Sequence, residues 1–155
     1  MARIPDPTPG LIVRYGYLWL AEFRQKRTDP SKDRPACIIM QIPAGKRPAL
    51  QVVGGYGAGL DEVIILPITT RPPETEMLSI GLTASEKRVC GLDASTPSWL
   101  ILSEFNIDTW PNADLSLVPK TNRFEYGIAP PGLLMRVSRM FADAARTRRT
   151  IGVRR

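Results

Sequence analysis

Histidine is absent from the 155 residues, so acid–base chemistry here falls to carboxylates, lysine, tyrosine, arginine or hydroxyl groups. The absence removes Ser-His-Asp and Cys-His arrangements, two-histidine ribonuclease chemistry, and most zinc and non-haem iron sites. The two cysteines, Cys37 and Cys90, make no zinc pattern. Cys37 lies in the apolar run P-A-C-I-I-M, and both thiols read as reduced core residues. No metal or other cofactor is expected. The glycines of residues 43–60 (Gly45, Gly54, Gly55, Gly57, Gly59) lack the Gly-Lys-Ser/Thr ending of a phosphate loop and lead into no helix.

Cationic side chains gather in residues 22–34, where Arg24, Lys26, Arg27, Lys32 and Arg34 stand among Glu22, Asp29 and Asp33. Such a loop can contact phosphates, although solvated charges are its ordinary role. Trp19, Trp99 and Trp110 could stack on bases. Trp19 and Trp99 fall inside expected strands and read as core. Trp110, in the turn-like N-I-D-T-W-P-N of 106–112, is the stacking candidate, with a dimer interface as its other reading.

These groups need elements to position them. Residues 11–20 predict a strand with Leu11, Val13, Tyr15, Tyr17 and Trp19 on one side, and Gly16 marks a bulge or bend in it. Residues 22–34 predict a loop broken by Pro30. Residues 35–42 predict a buried strand opened by Pro35, and 43–60 a long connection in which Val52 and Val53 extend a strand. The run E-V-I-I-L-P-I-T of 62–69 predicts a strand whose Pro67 implies an edge or bulge. Residues 77–82 follow as a strand. Thr83-x-x-Glu86 is a capping box that opens a short helix closing near Gly91. Residues 99–105, 115–118 and 124–128 predict further strands.

Pro130-Pro131 starts a last helix, whose stripe of Leu133, Val137, Met140, Phe141 and Ala144 reads as core. Arg136, Arg139 and Arg146 face away from that stripe. The sum is mostly β with a C-terminal helix, an antiparallel barrel or sandwich of five to seven short strands in one domain over 10–145. Residues 1–9 form an irregular leader and 146–155 a basic tail.

The net charge of +6 resides in that tail. Residues 146–155 hold five arginines and no acid, so the rest carries about +1. A frayed, solvated terminus and a phosphate-touching arm both fit. No apolar leader or membrane-length stretch is visible, and the expected location is cytoplasmic.

Two segments together resemble the PemK/MazF family of toxins. One runs from G-L-I-V at 10–13 through Trp19 to K-D-R-P-A at 32–36; the other is V-I-I-L-P-I-T at 63–69. Ser103-Glu104-Phe105-Asn106 resembles the end of a later family strand, and the C-terminal helix also fits. The first loop and residues 43–60 are longer than the family pattern, and 146–155 has no counterpart in it. The resemblance implies a small SH3-like barrel of the CcdB/PemK/MazF type, paired as a two-fold homodimer. It implies a growth-inhibiting toxin, a metal-independent endoribonuclease that cleaves single-stranded RNA. It also implies a cognate acidic antitoxin that lies across the RNA groove. Carried over by position, the catalytic arginine is Arg34 and the catalytic hydroxyl is Thr69. Glu104 is an additional catalytic or positioning candidate, and Lys26, Arg27, Lys32, Thr70, Arg71 and Trp110 are RNA-binding candidates.

That pairing is chemically coherent. A guanidinium offers a permanently charged, two-pronged grip on a phosphate. Attack by the RNA's own 2′-hydroxyl needs no imidazole if the charge on phosphorus is neutralised, and DNA, which lacks that hydroxyl, is spared. Other readings stand beside this one. Arg34 pairs with Asp33 or another carboxylate, Thr69 is a structural β-former, and Glu104 is half of a rim ion pair. At the level of the whole chain, the alternatives are a gyrase-binding poison acting through its C-terminus and an inactive nucleic-acid- or protein-binding barrel.

Overall fold

The computed structural model describes residues 2–27, 29–30, 32–55 and 59–155. Over these the chain is mostly β with a C-terminal helix. In order it forms β1 Leu11–Tyr15, α1 Leu20–Arg24, β2 Arg34–Ile42, β3 Val52–Val53, β4 Glu62–Thr69, β5 Ser79–Gly81, α2 Ala84–Val89, β6 Trp99–Ile101, β7 Glu104–Thr109, β8 Leu115–Ser116, β9 Glu125–Ile128, α3 Pro131–Arg146 and β10 Ile151–Arg154. Residues 56–58 of the glycine-rich connection lie outside the described residues, so the reading at Gly57 does too.

The strands form one mixed sheet in the order β3-β10-β7-β4-β2-β1-β8. The β5–β6 pair joins it at β4, and β9 joins it at β1. Pairing is antiparallel except at β10, which runs parallel to both β3 and β7. Strand β4 is buried at every residue and changes partner along one edge. Glu62–Ile65 pair with β7, and Ile68 and Thr69 pair with β6. Pro67 falls in the gap between these two ladders and pairs with Ala36 of β2 on the other edge. The same change of partner divides the expected 99–105 strand into β6 and β7.

Both sheet faces are covered, which is why these strands read as nearly continuous apolar runs. Leu11, Val13 and Tyr15 of β1 pack with Ala36, Ile38, Val63 and Ile65 on one face. Ile12, Cys37, Ile64, Leu66 and Ile68 pack on the other, under Leu133, Val137 and Phe141 of α3. The free thiols of Cys37 and Cys90 are both buried, and burial pushes them up to about 12 and about 11 respectively. The capping box holds: the Glu86 amide donates to Thr83 Oγ1 at 3.1 Å, and the Thr83 amide to Glu86 Oε1 at 2.9 Å. No helix among the described residues is long and apolar enough to cross a membrane.

Three local expectations are corrected. The first strand ends at Tyr15, because the chain turns at Gly16, where a Cβ would lie 2.7 Å from Pro30 Cγ. Part of the expected charged loop is the helix α1, too short to show a period; Glu22 anchors its start by accepting from the Trp19 amide at 3.1 Å. Val52 and Val53 do pair as a strand, but with β10 and not as an extension of β2.

The basic tail is the largest correction. Residues 151–154 are a strand inside the sheet, and the Arg155 amide continues the ladder to the Ile107 carbonyl at 2.8 Å. Arg154 grips Glu62 through Nε and a terminal nitrogen, at 3.0 and 3.2 Å. A Cβ at Gly152 would fall 2.2 Å from the ring of the buried Phe105, which packs edge-on against Phe141. Gly152→Ala is therefore expected to lower unfolding free energy in urea by about 2 kcal/mol through overpacking. An unchanged urea midpoint would show that β10 is not pressed onto Phe105.

Candidate functional site

The segment 17–22, which runs from beyond β1 into the first turn of α1, gathers the candidate chemistry. The Arg34 guanidinium lies over the Trp19 ring, 4.9 Å from its centroid. Tyr17 and Trp19 meet edge-to-face with centroids 5.0 Å apart. Arg34 Nε is buried without a hydrogen-bond partner, and Arg34 has no ion pair among the described residues. The expected pairing with Asp33 is not formed; Asp33 instead accepts from Ser116 Oγ at 3.0 Å. Burial lowers the Arg34 pKa, opposed by the nearby Glu22 and Tyr17 and assisted by Arg71. It still stays charged at any ordinary pH. A guanidinium held on an aromatic ring, with no ion pair among the described residues, is a group that can take an anion.

Thr69 ends β4. The β2–β4 ladder ends at the pair Ala36–Pro67, two residues short of Arg34 and Thr69, and Thr69 pairs with Trp99 of β6. Thr69 Oγ1 accepts from the Arg71 amide at 3.1 Å, which leaves the hydroxyl hydrogen free to donate. Thr70 and Arg71 continue past the strand as exposed residues.

Glu104 opens β7 and is buried. It does not meet Arg34 directly. Its Oε1 accepts from Tyr17 Oη at 3.1 Å and from the Leu20 amide at 2.9 Å, fixing the segment that carries Trp19 under Arg34. Burial raises the Glu104 pKa above the usual carboxylate range, and those two hydrogen bonds oppose the shift. A raised carboxyl pKa stabilises the fold at low pH, and that contribution is lost as pH rises through the folded-state value. On lowering the pH from 7 to 4, the native protein should therefore gain stability relative to Glu104→Gln. Unfolding free energies of the two proteins across that range check this, and a constant difference would rule it out.

The remaining candidates are dispersed. Lys26 and Lys32 are exposed, and Arg27 pairs with Glu22 at 3.3 Å. Trp110 is not brought to this site. It follows the end of β7 opposite Glu62, seven residues along β4 from Thr69, or about 23 Å at strand rise. Its indole N–H donates to the Pro5 carbonyl at 3.0 Å, and its ring packs onto the core.

The sequence reading missed a polar seam along β7. Glu104, Asn106 and Asp108 share one face and are all buried. Asn106 holds Leu18 at both backbone groups, 3.0 and 2.8 Å, and Asp108 accepts from Tyr15 Oη at 2.8 Å. Arg155 closes the seam, with bonds to Tyr15 Oη, the Gly16 carbonyl, Asn106 Oδ1 and Asp114. The alternation E-F-N-I-D was the visible signal, but polar alternation ordinarily marks a solvated face.

In comparisons with known proteins, no family model, curated protein or solved structure matches this chain.

Proposed function

We propose that this chain is a toxin-type endoribonuclease of the PemK/MazF kind, cleaving single-stranded RNA at a phosphate held by Arg34. The observation that carries the reading is the Arg34 guanidinium: seated on Trp19, with Nε buried and unpaired, and free of any carboxylate partner among the described residues. In the reaction the RNA's 2′-oxygen bonds to phosphorus and the bond to the 5′-oxygen breaks. The 2′-hydroxyl proton passes to solvent and the departing oxygen takes one up. Arg34 neutralises the charge that builds on the phosphorane, and Thr69 donates to a non-bridging oxygen. Glu104 is a positioning residue that acts through Tyr17 and Leu20. Arg71 and Lys32 extend the cationic surface along the RNA.

The order β1-β2-β4-β7 with a C-terminal helix is compatible with the SH3-like barrel and two-fold dimer of this proposal. A cytoplasmic setting and an acidic antitoxin segment over Arg34 and Arg71 complete it. A binding-poison reading that acts through residues 152–155 is disfavoured, because Arg154 and Arg155 are bonded into the sheet.

The test is incubation of the purified protein with several unrelated single-stranded RNAs, and DNAs of the same sequences, in excess EDTA. Discrete RNA fragments ending in 2′,3′-cyclic phosphate, with intact DNA, are expected. A folded protein that leaves every RNA uncut would overturn the proposal in favour of a non-catalytic barrel.

A further inference from the structure

The outer face of α3 is a run of cations. Residues 131–150, the helix and the turn that follows it, hold Arg136, Arg139, Arg146, Arg148 and Arg149 against the single acid Asp143, a net +4 of the whole chain's +6. All five arginines are exposed. At 3.6 residues per turn, Arg136, Arg139 and Arg146 share an arc of about 80°, opposite the buried Leu133, Val137, Phe141 and Ala144. Arg148 and Arg149 extend the run past the helix end. We propose that this face docks the phosphate backbone of RNA, outside the segment held at Arg34. The choice of RNA rests on the ribonuclease reading; the anion-binding face does not.

Three features set this face apart from a solvated helix surface, which ordinarily intersperses both signs of charge. The first is the shortage of partners. Arg136 pairs with Glu86 at 3.2 Å and Arg146 with Asp143, while Arg139, Arg148 and Arg149 have no ion pair among the described residues. The second is that the arrangement opposes the fold. Arg136 and Arg139 are i,i+3 neighbours, where like charges repel. The helix dipole favours cations in the last turn only, which accounts for Arg146 and not for Arg139. The third is Arg148, whose φ of +59° lies in the left-handed region that glycine ordinarily fills at a helix end. The Arg148 and Arg149 amides close the helix on the carbonyls of Ala145 and Ala144, at 3.2 and 2.7 Å. Those are backbone bonds that glycine would make as well, so the arginine adds charge there and not stability.

The chemistry of the face names the partner. A guanidinium grips phosphate with two prongs, and a row of them tracks a phosphate backbone. The face has no exposed aromatic side chain on which bases could stack, so its contacts are to phosphates and independent of sequence. The apolar stripe of α3 is already spent on the core, and Met135 is the helix's one exposed large apolar side chain, so nothing is left to insert into a lipid surface. The helix covers one face of the sheet, whereas Arg34 belongs by strand alternation to the face of Ala36 and Ile38. The two cationic surfaces therefore meet different stretches of one RNA.

The test compares the native protein with Arg139→Gln/Arg148→Gly/Arg149→Gln, and with Lys46→Gln/Arg47→Gln/Lys120→Gln, which removes the same charge elsewhere. The first arm measures binding of a 2′-O-methyl RNA of about forty nucleotides, several times a site of roughly 4–16 nucleotides. It keeps its phosphates and lacks the attacking hydroxyl. Losing three phosphate contacts should reduce the slope of log affinity against log salt by about 2, and the affinity about a hundredfold at about 0.1 M salt. The control should move far less. The α3 variant should melt no lower than the native protein, because Arg148→Gly relieves the backbone. Equal losses in both variants, an unchanged salt slope, no RNA binding, or early melting of the α3 variant overturns the proposal. Tighter binding of duplex DNA, or of phosphatidylglycerol vesicles, also overturns it. In the second arm, unmodified RNA is cleaved. The α3 substitutions should slow cutting of the long RNA and spare an RNA of about five nucleotides. Equal slowing at both lengths overturns the docking face. Binding that depends on α3, with no RNA cut by any of the proteins, supports the face and overturns the ribonuclease reading alone.

Discussion

With the proposed ribonuclease activity, Arg34→Ala should lower the rate of RNA cleavage about 10³-fold while leaving the melting temperature nearly unchanged. The first half follows from charge. A fixed cation at the phosphorus stabilises the transition state more than the ground state, and losing one such donor typically costs about 3–4 kcal/mol of barrier. The second half follows from the surroundings. Arg34 makes no hydrogen bond or ion pair among the described residues, and its buried Nε is unsatisfied. Removing it relieves an orphaned donor and forfeits the contact with Trp19, about 1 kcal/mol in the opposite direction. Arg34→Lys separates charge from shape: a single ammonium keeps the cation but not the two-pronged grip, so its rate should fall between those of the native protein and the alanine variant. The checks are single-turnover cleavage and thermal melting of all three proteins. A large drop in melting temperature for Arg34→Ala would make the residue structural. An unchanged cleavage rate would remove it from the site.

Arg155→Ala should have the largest effect on stability. Only 8% of the Arg155 side chain is exposed. It spans Tyr15 Oη at 2.9 Å, the Gly16 carbonyl at 2.9 Å, Asn106 Oδ1 at 3.2 Å and Asp114 Oδ2 at 2.7 Å. Asp108 lies in the same cluster, its pKa already raised by burial and held back by Tyr15 and Arg155. Without the guanidinium, these acceptors and carboxylates face one another with no cation, a situation that costs about 3–5 kcal/mol. For a chain of this size that is a fall of about 10 °C in melting temperature. Acid should partly rescue the variant, because burial already raises the Asp108 pKa and its protonation removes uncompensated charge. Melting curves at neutral and mildly acidic pH test both statements. A shift smaller than about 2 °C would mean that water replaces the guanidinium at little cost.

The strands of the core were legible because their composition left few options. A run such as E-V-I-I-L-P-I-T buries nearly everything wherever it pairs, so β4 follows from side-chain chemistry alone. The capping box at Thr83 and the 3–4 spacing of Leu133, Val137, Phe141 and Ala144 are likewise local rules, satisfied within one element. The elements misread were those whose state depends on distant partners. Trp110 looked like a free aromatic in a turn, yet Pro5, more than a hundred residues away in sequence, takes its N–H. For Glu104 the sequence left a base, a positioning group and half of a rim ion pair all open, and only the fold shows it bonded to Tyr17 and Leu20.

At the candidate site, the residue types came from the sequence and the arrangement from the fold. Lacking histidine, the chain confined its chemistry to guanidinium, carboxyl and hydroxyl groups before any coordinate was known. Only the tertiary structure decided that Trp19 lies under Arg34 and that Arg34 has no carboxylate partner among the described residues. The C-terminus shows the division most sharply. As sequence, R-T-R-R-T-I-G-V-R-R is a cationic tail. In the structure its last five residues are a parallel strand and its clamp, because β7 offers an open edge of hydrogen bonds beside buried carboxylates. Composition fixes what a segment can bury, whereas pairing depends on which edges and charges the rest of the chain leaves unsatisfied.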